Sequence, residues 1–245
     1  MNVLIVHAHN EPQSFNTAML NLAVEVLSEQ GHEVVVSDLY AMKFNPVASA
    51  GDFHQRANSD HLVYALEQRN GYTTGTLASD ILAELDKIKR ADLIIFNFPI
   101  YWFSMPAIMK GWFDRVFISG YCYGGARIYD RGGLKDKQAM LAFSLGGQDH
   151  MFGPGAVHGE LETLLQPIQR GVLGYVGLTV LPPFVAFHVP YITQAAREDY
   201  LEQYRQHLRT LDQRAPLVFP SLDDYDEVLR PKHPPAHART AGGHA

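Results

Sequence analysis

The sequence predicts a doubly wound α/β fold, a parallel five-stranded sheet in the order 2-1-3-4-5 with helices on both faces. Three observations lead there. Short aliphatic runs alternate with longer amphipathic stretches along most of the 245 residues. The runs are apolar throughout rather than every second residue, the mark of strands buried on both faces. The first strand, helix and strand are spaced as a right-handed βαβ unit.

Val3, Leu4, Ile5 and Val6 make the first strand. Residues 15–30 follow with Met19, Leu22, Ala23, Val26 and Leu27 at helical spacing, and Gly31 stops the helix. Val34, Val35 and Val36 form the second strand. Residues 40–76 are mixed and polar, with Asn45-Pro46 and Asn70-Gly71 as turn signals, and read as a long connection with some helix. Ile81, Leu82, Leu85 and Ile88 give a short amphipathic helix, and Leu93-Ile94-Ile95-Phe96 is the third strand, ended by Pro99. Residues 105–117 are a helix with Pro106 in the first turn, where a missing N–H costs nothing.

Residues 139–144 are the fourth strand, running into Gly146-Gly147. Residues 161–172 are helical, with Pro167 predicting a kink or break. Residues 178–181 and 184–187 form a fifth strand interrupted by Pro182-Pro183, and 195–211 the final helix. One domain over 1–215 is the simplest division. Residues 216–245 are then an irregular extension, with disorder expected over its His-, Pro- and Gly-containing end from 231 to 245 and no metal site expected there.

Composition narrows the function. With 47% apolar residues the chain can bury a core without staples. A net charge of −6 argues against nucleic acid or an anionic membrane as partner. Cys122 is the only cysteine, which excludes an intramolecular disulfide and a thiolate metal cluster. The start, Met1-Asn2-Val3-Leu4-Ile5, has no basic leader and no cleavage site, and no apolar run approaches the ~20 residues of a membrane span. A cytoplasmic chain without a transmembrane segment is expected.

In such folds ligands bind beyond the carboxyl ends of the strands, which selects three loops. The first, His9-Asn10-Glu11-Pro12-Gln13-Ser14-Phe15-Asn16-Thr17, opens a helix whose unpaired N–H groups suit a phosphate. It lacks both GxGxxG and GxxxxGK[ST], so a Rossmann nucleotide site and a P-loop are not supported. The second, Phe98-Pro99-Ile100-Tyr101-Trp102-Phe103-Ser104-Met105-Pro106, holds a Tyr-Trp-Phe run that cannot all be core, since neighbouring side chains on a strand face opposite ways. The third holds Ser144-Leu145-Gly146-Gly147, His150, Phe152 and His158, with glycines that let backbone approach a ligand. Singly, each has a plainer reading: Ser14 as a helix cap, the aromatics as packing, the glycines as turns, the histidines as solvated groups. Together they make a phosphate end, an aromatic floor and a backbone-lined edge, the shape a flavin nucleotide needs.

With these residues in view, the sequence resembles the NAD(P)H:quinone oxidoreductase (DT-diaphorase) family, which has a flavodoxin-like fold. The resemblance is carried by Ile5-Val6-His7-Ala8-His9, Ser14-Phe15-Asn16, Ser37-Asp38-Leu39-Tyr40-Ala41-Met42 and Phe44-Asn45-Pro46. It continues through Phe98-Pro99, Trp102-Phe103, Pro106-Ala107-Ile108, the run from Lys110 to Phe117, Gly146-Gly147, His158-Gly159 and Pro167-Ile168-Gln169. It implies non-covalent FAD rather than FMN, NAD(P)H as co-substrate, and a homodimer with sites at the subunit interface. The implied reaction is a ping-pong two-electron (hydride) transfer to quinones or similar electrophilic acceptors. By position, His9, Phe15 and Asn16, with Ser14 beside them, hold the FAD pyrophosphate, and Arg197 reaches the adenine portion. Ile100, Tyr101, Trp102 and Phe103 line the isoalloxazine, while Ser144, Leu145, Gly146 and Gly147 address its pyrimidine edge. His158 is the catalytic proton donor or relay, and Trp102, Phe103, Tyr123, Gly124, Gly125, His158 and Tyr175 form the acceptor pocket, with Tyr175 entering from the partner subunit.

Two departures from the family pattern stand out. Phe152 occupies the place of a tyrosine that partners the histidine, and without a hydroxyl it cannot join a proton relay. Gly124-Gly125 replace bulkier residues, which implies a wider acceptor pocket. Two other readings keep the fold: a regulatory subunit of a potassium-efflux transporter, for which residues 53–72 are unassigned, and a flavodoxin-type single-electron carrier. The Trp102-Phe103 and Tyr123 wall argues for a substrate rather than a carrier.

Overall fold

An all-apolar segment can be buried only if its backbone N–H and C=O groups are paired, and the aliphatic runs pair with one another. A computed structural model describes residues 1–232. It forms β1 (Asn2–His7), α1 (Phe15–Glu29), β2 (Glu33–Asp38), α2 (Tyr64–Thr74), α3 (Ser79–Arg90) and β3 (Leu93–Pro99). There follow α4 (Ala107–Val116), β4 (Gln138–Ser144), α5 (Leu161–Ile168), β5 (Thr179–Val180), β6 (Phe184–Ala186) and α6 (Gln194–Arg209). The sheet is parallel in the expected order, β2-β1-β3-β4-β5.

The fifth strand is two pieces. β5 and β6 both pair with β4, at its start and its end, because Pro182 and Pro183 have no N–H to continue the ladder. The sheet divides the core in two. One face carries Met19, Ala23, Val26 and Leu27 of α1 against Tyr204 and Leu208 of α6. The other carries Ile81, Leu85 and Ile88 of α3 with Met109, Trp112 and Phe113 of α4 and Leu165 of α5. Among the described residues no helix is long and apolar enough to cross a membrane.

Two expectations need amendment. Asn70-Gly71 is not a turn but lies within α2. The glycine is there for room, since a Cβ at Gly71 would come within 2.7 Å of Leu77 Cδ2. Asn45-Pro46 is a turn, with Asn45 Oδ1 accepting the Val47 N–H at 3.0 Å. Pro106 is the residue before α4 rather than part of its first turn. Pro167 does break its helix, which passes from α5 into a wider π turn over Gln169–Gly174. Beyond residue 215 the chain lies against the body: the Leu217 N–H donates to Val180 O at 2.8 Å, and Ser221 Oγ donates to Asp130. The expectations for the His-containing tail fall, from residue 233 on, outside the described residues.

Candidate active site

The carboxyl ends of β1, β3 and β4 meet at one place, and a buried polar knot holds them there. Asn16, in the first turn of α1, donates through Nδ2 to Asn97 Oδ1 at 3.1 Å and accepts from Ser144 Oγ at 2.6 Å. Asn97 Nδ2 returns to the Asn16 carbonyl at 3.1 Å. All three residues are buried, so their hydrogen bonds replace those lost to water. The knot has a consequence for two predicted cofactor residues. The side chains of Asn16 and Ser144 are already taken up inside the protein, and what Asn16 offers a ligand is its backbone N–H.

Above the knot a cleft of about 540 Å³ runs from Ile100 and Tyr101 past the start of α1 to Arg197 and Leu201 on α6. Its middle is the α1 N-terminus. Ser14 caps it, accepting the Thr17 N–H at 3.1 Å, and the N–H groups of Phe15 and Asn16 have no partner within the helix. His9 adds a donor: its Nδ1 accepts the Glu11 N–H at 3.0 Å, which leaves the ring proton on Nε2, and burial lowers its pKa. Arg197 donates from Nε and Nη2 to the Val189 carbonyl, both at 3.2 Å, and has no carboxylate partner among the described residues. Partial positive charge, a neutral imidazole N–H and an unpaired guanidinium converge on one stretch of cleft, which suits an anion.

A second cleft of about 220 Å³ shares Ile100, Leu145 and Gly146 with the first and adds Trp102, Phe103, Gly147, Phe152 and His158. Residues 101–104 form a tight hairpin: Tyr101 and Ser104 exchange both backbone hydrogen bonds, at 2.9 and 3.0 Å. The two residues between them, Trp102 and Phe103, both have left-handed backbones, φ +50° and +59°. Trp102 is 96% exposed. Phe103 stands edge-on to His158, centroids 5.2 Å apart, and Phe152 packs against His158 at 5.1 Å. In the same cleft, the N–H groups of Gly146 and Gly147 have no acceptor among the described residues. A Cβ on Gly147 would lie 2.9 Å from the Phe152 ring, so glycine is required there.

The comparisons with known proteins agree with this geometry. The family model for the flavodoxin-like fold matches residues 1–208. NAD(P)H dehydrogenase (quinone) 1 from Rattus norvegicus is 42% identical over 224 residues, 91% of this chain and 82% of the relative. The chain belongs to the NAD(P)H:quinone oxidoreductase family. Ribosyldihydronicotinamide dehydrogenase (quinone) from Homo sapiens is 41% identical over 216 residues, 88% of this chain and 94% of that protein. Among solved structures, a candidate quinone reductase from Klebsiella pneumoniae superposes with TM-score 0.92 at 37% identity, covering 99% of this chain and 97% of its own.

Not every residue expected of a quinone oxidoreductase site is gathered here. Tyr123, Gly124, Gly125 and Tyr175 line neither cleft. Tyr123 and Tyr175 pack on each other at 5.5 Å, Tyr175 meets Tyr129 at 5.6 Å, and Gly125 borders a separate groove beside Tyr225. Within this family member two residues escaped the sequence reading. Asn97 had a signal, an amide inside the apolar run Leu93-Ile94-Ile95-Phe96 to Phe98. His188, directly after β6, had one as well, for the rule that directs attention to strand carboxyl ends applies to β6 as much as to β4.

Proposed function

We propose that this chain is a flavin-dependent NAD(P)H:quinone oxidoreductase that binds FAD, works by two-electron ping-pong transfer, and acts as a homodimer. The observation that carries the proposal is the Trp102-Phe103 turn: two large aromatics in a strained backbone, in one slot with unbonded glycine N–H groups. Left-handed backbone in bulky residues is held where a site needs it. The family relatives, named for NAD(P)H or ribosyldihydronicotinamide and for quinone, support the same reading.

The residues present fit FAD better than FMN. FMN ends at its phosphate, which would fill the cleft only as far as the α1 N-terminus. The cleft goes on to Arg197 and Leu201, where an adenylate has room and a cation. When bound, the flavin supplies the redox chemistry, accepting a hydride equivalent from NAD(P)H and passing two electrons to the quinone.

The chain supplies position and electrostatics. The N–H groups of Phe15 and Asn16, with His9 Nε2, hold the diphosphate, and Arg197 reaches the adenine portion. Trp102 and Phe103 offer their rings as one wall of the slot. The N–H groups of Gly146 and Gly147 donate to negative charge as it develops at the slot's edge, where preorganised donors act most strongly. His158, in contact with Phe103 and Phe152, gives or takes the proton; Phe152 has no hydroxyl to extend that path. The test is the mass and spectrum of whatever heat releases from the purified protein, followed by NAD(P)H addition under anaerobic conditions. FAD and bleaching on NAD(P)H are expected. A protein that refolds with excess FAD or FMN and takes up neither would overturn the proposal.

A further inference from the structure

Three successive carbonyls in the loop after β4 are held from one side by the segment after β6. The Val189 N–H donates to Leu145 O at 3.2 Å, His188 Nδ1 to Gly146 O at 2.8 Å, and the His188 N–H to Gly147 O at 2.9 Å. A trans peptide is planar, and its C=O and the next N–H point opposite ways. Fixing Leu145 O therefore fixes the Gly146 N–H, and fixing Gly146 O fixes the Gly147 N–H. Both point away from the 188–189 segment, and both residues line the smaller cleft, which His188 does not. Two of the three bonds are backbone bonds that any residue at 188 or 189 with an N–H would make. The third, which sets the Gly147 N–H, belongs to the imidazole alone.

We propose that His188 is a positioning residue of the site: its Nδ1–H holds the Gly146 carbonyl and so aims the Gly147 N–H at the edge of the bound ring. Its own backbone is left-handed, φ +58° and ψ +22°, a conformation bulky residues adopt only when the surroundings hold them in it. A carbonyl only accepts, so Nδ1 carries the proton whether the ring is neutral or charged, and the role does not depend on protonation. Tyr191, tilted over the ring at 4.9 Å, and Gln148, whose Nε2 is 3.5 Å from His188 Nε2, restrict the imidazole from its other sides. The part that concerns the flavin rests on the function proposed above.

The test separates the imidazole from the backbone. His188→Gly keeps the left-handed conformation and the N–H to Gly147 O but loses the Nδ1 donor. His188→Asn keeps a side-chain donor and also tolerates that conformation. In 15N-labelled protein without cofactor, the Gly147 amide resonance is expected to shift or broaden in His188→Gly and to stay near its wild-type position in His188→Asn. In His188→Gly oxidised FAD is expected to bind as in the wild type and reduced FAD about fivefold more weakly, the scale of one hydrogen bond. A fivefold preference lost in the reduced state alone lowers the midpoint potential by about 20 mV, at 29.6 mV per tenfold for two electrons. A folded His188→Gly with an unmoved Gly147 amide and an unchanged potential overturns the inference, even if its melting temperature falls. If the wild type takes up neither FAD nor FMN, the proposed function fails, and the amide comparison alone still decides whether His188 aims the Gly147 N–H.

Discussion

Trp102 and Phe103 occupy the centre of a two-residue hairpin whose ordinary sequence is Asn-Gly. Holding a non-glycine residue left-handed costs roughly 1–2 kcal/mol. Phe103 recovers part of that against His158, but the Trp102 ring, almost wholly exposed, recovers nothing within the chain. Trp102→Asn is therefore expected to stabilise the cofactor-free protein by about 0.5–1 kcal/mol, about 2 °C in Tm, while quinone reduction falls. Urea unfolding beside steady-state turnover checks both, and a destabilised variant would show that the Trp102 ring is stabilised by contacts within the chain. At this scale the sequence was partly legible. That three consecutive aromatics could not all be core was readable from alternation, although the reason proved to be a turn rather than a strand. The Asn16 to Ser144 bond was not readable, because it joins residues 128 apart whose loops converge only once the sheet has formed.

The order of strands and helices was legible because buried parallel strands and amphipathic helices have different periods. Places where one element approaches another were not. Gly111 sits in the interior of α4, where alanine would be better by ~1 kcal/mol on propensity. A Cβ there would meet the Pro46 carbonyl oxygen at 2.1 Å and its Cα at 2.5 Å. Gly111→Ala is thus expected to destabilise by about 1–3 kcal/mol or more, measured by urea unfolding, because the obstruction is backbone that cannot rotate aside. On the opposite face α6 packs His207 edge-on against Phe184 at 5.6 Å, with Nε2 lacking any partner among the described residues. Burial, and secondarily Arg214, lowers its pKa to about 4. Above pH ~6.5 the ring is neutral in both folded and unfolded chains and stability is indifferent to it. As the pH falls from about 6.5 to about 4, the unfolded chain gains a proton the folded one refuses, and stability drops by on the order of 3 kcal/mol. His207→Phe should flatten that decline in urea midpoints measured between pH 4 and 7; an unchanged slope would assign it to other groups.

The molecule as a whole is a sheet between two cores, with the ligand clefts at the carboxyl ends of its strands. The slot between Trp102-Phe103 and Gly146-Gly147 is open, while Tyr123 and Tyr175, the aromatics expected to wall it, are packed together elsewhere on the same chain. In the proposed homodimer each chain's tyrosine pair would wall the other's slot, and two-fold symmetry would make that contact twice. The arrangement makes a quantitative prediction. Let His158→Ala and Tyr175→Ala each abolish most quinone reduction as homodimers, and let equal amounts be unfolded together and refolded. Random pairing makes about half the dimers mixed. If His158 and Tyr175 serve one site from different chains, every mixed dimer has one site with both defects and one with neither. About a quarter of the wild-type activity per site should then return, with the KM of the wild type. If both residues act within their own chain, each site in a mixed dimer still carries a single defect, and activity stays at the average of the two parents. A wild-type KM in the refolded mixture identifies the intact sites directly, because a site lacking either residue binds its acceptor through a different set of contacts.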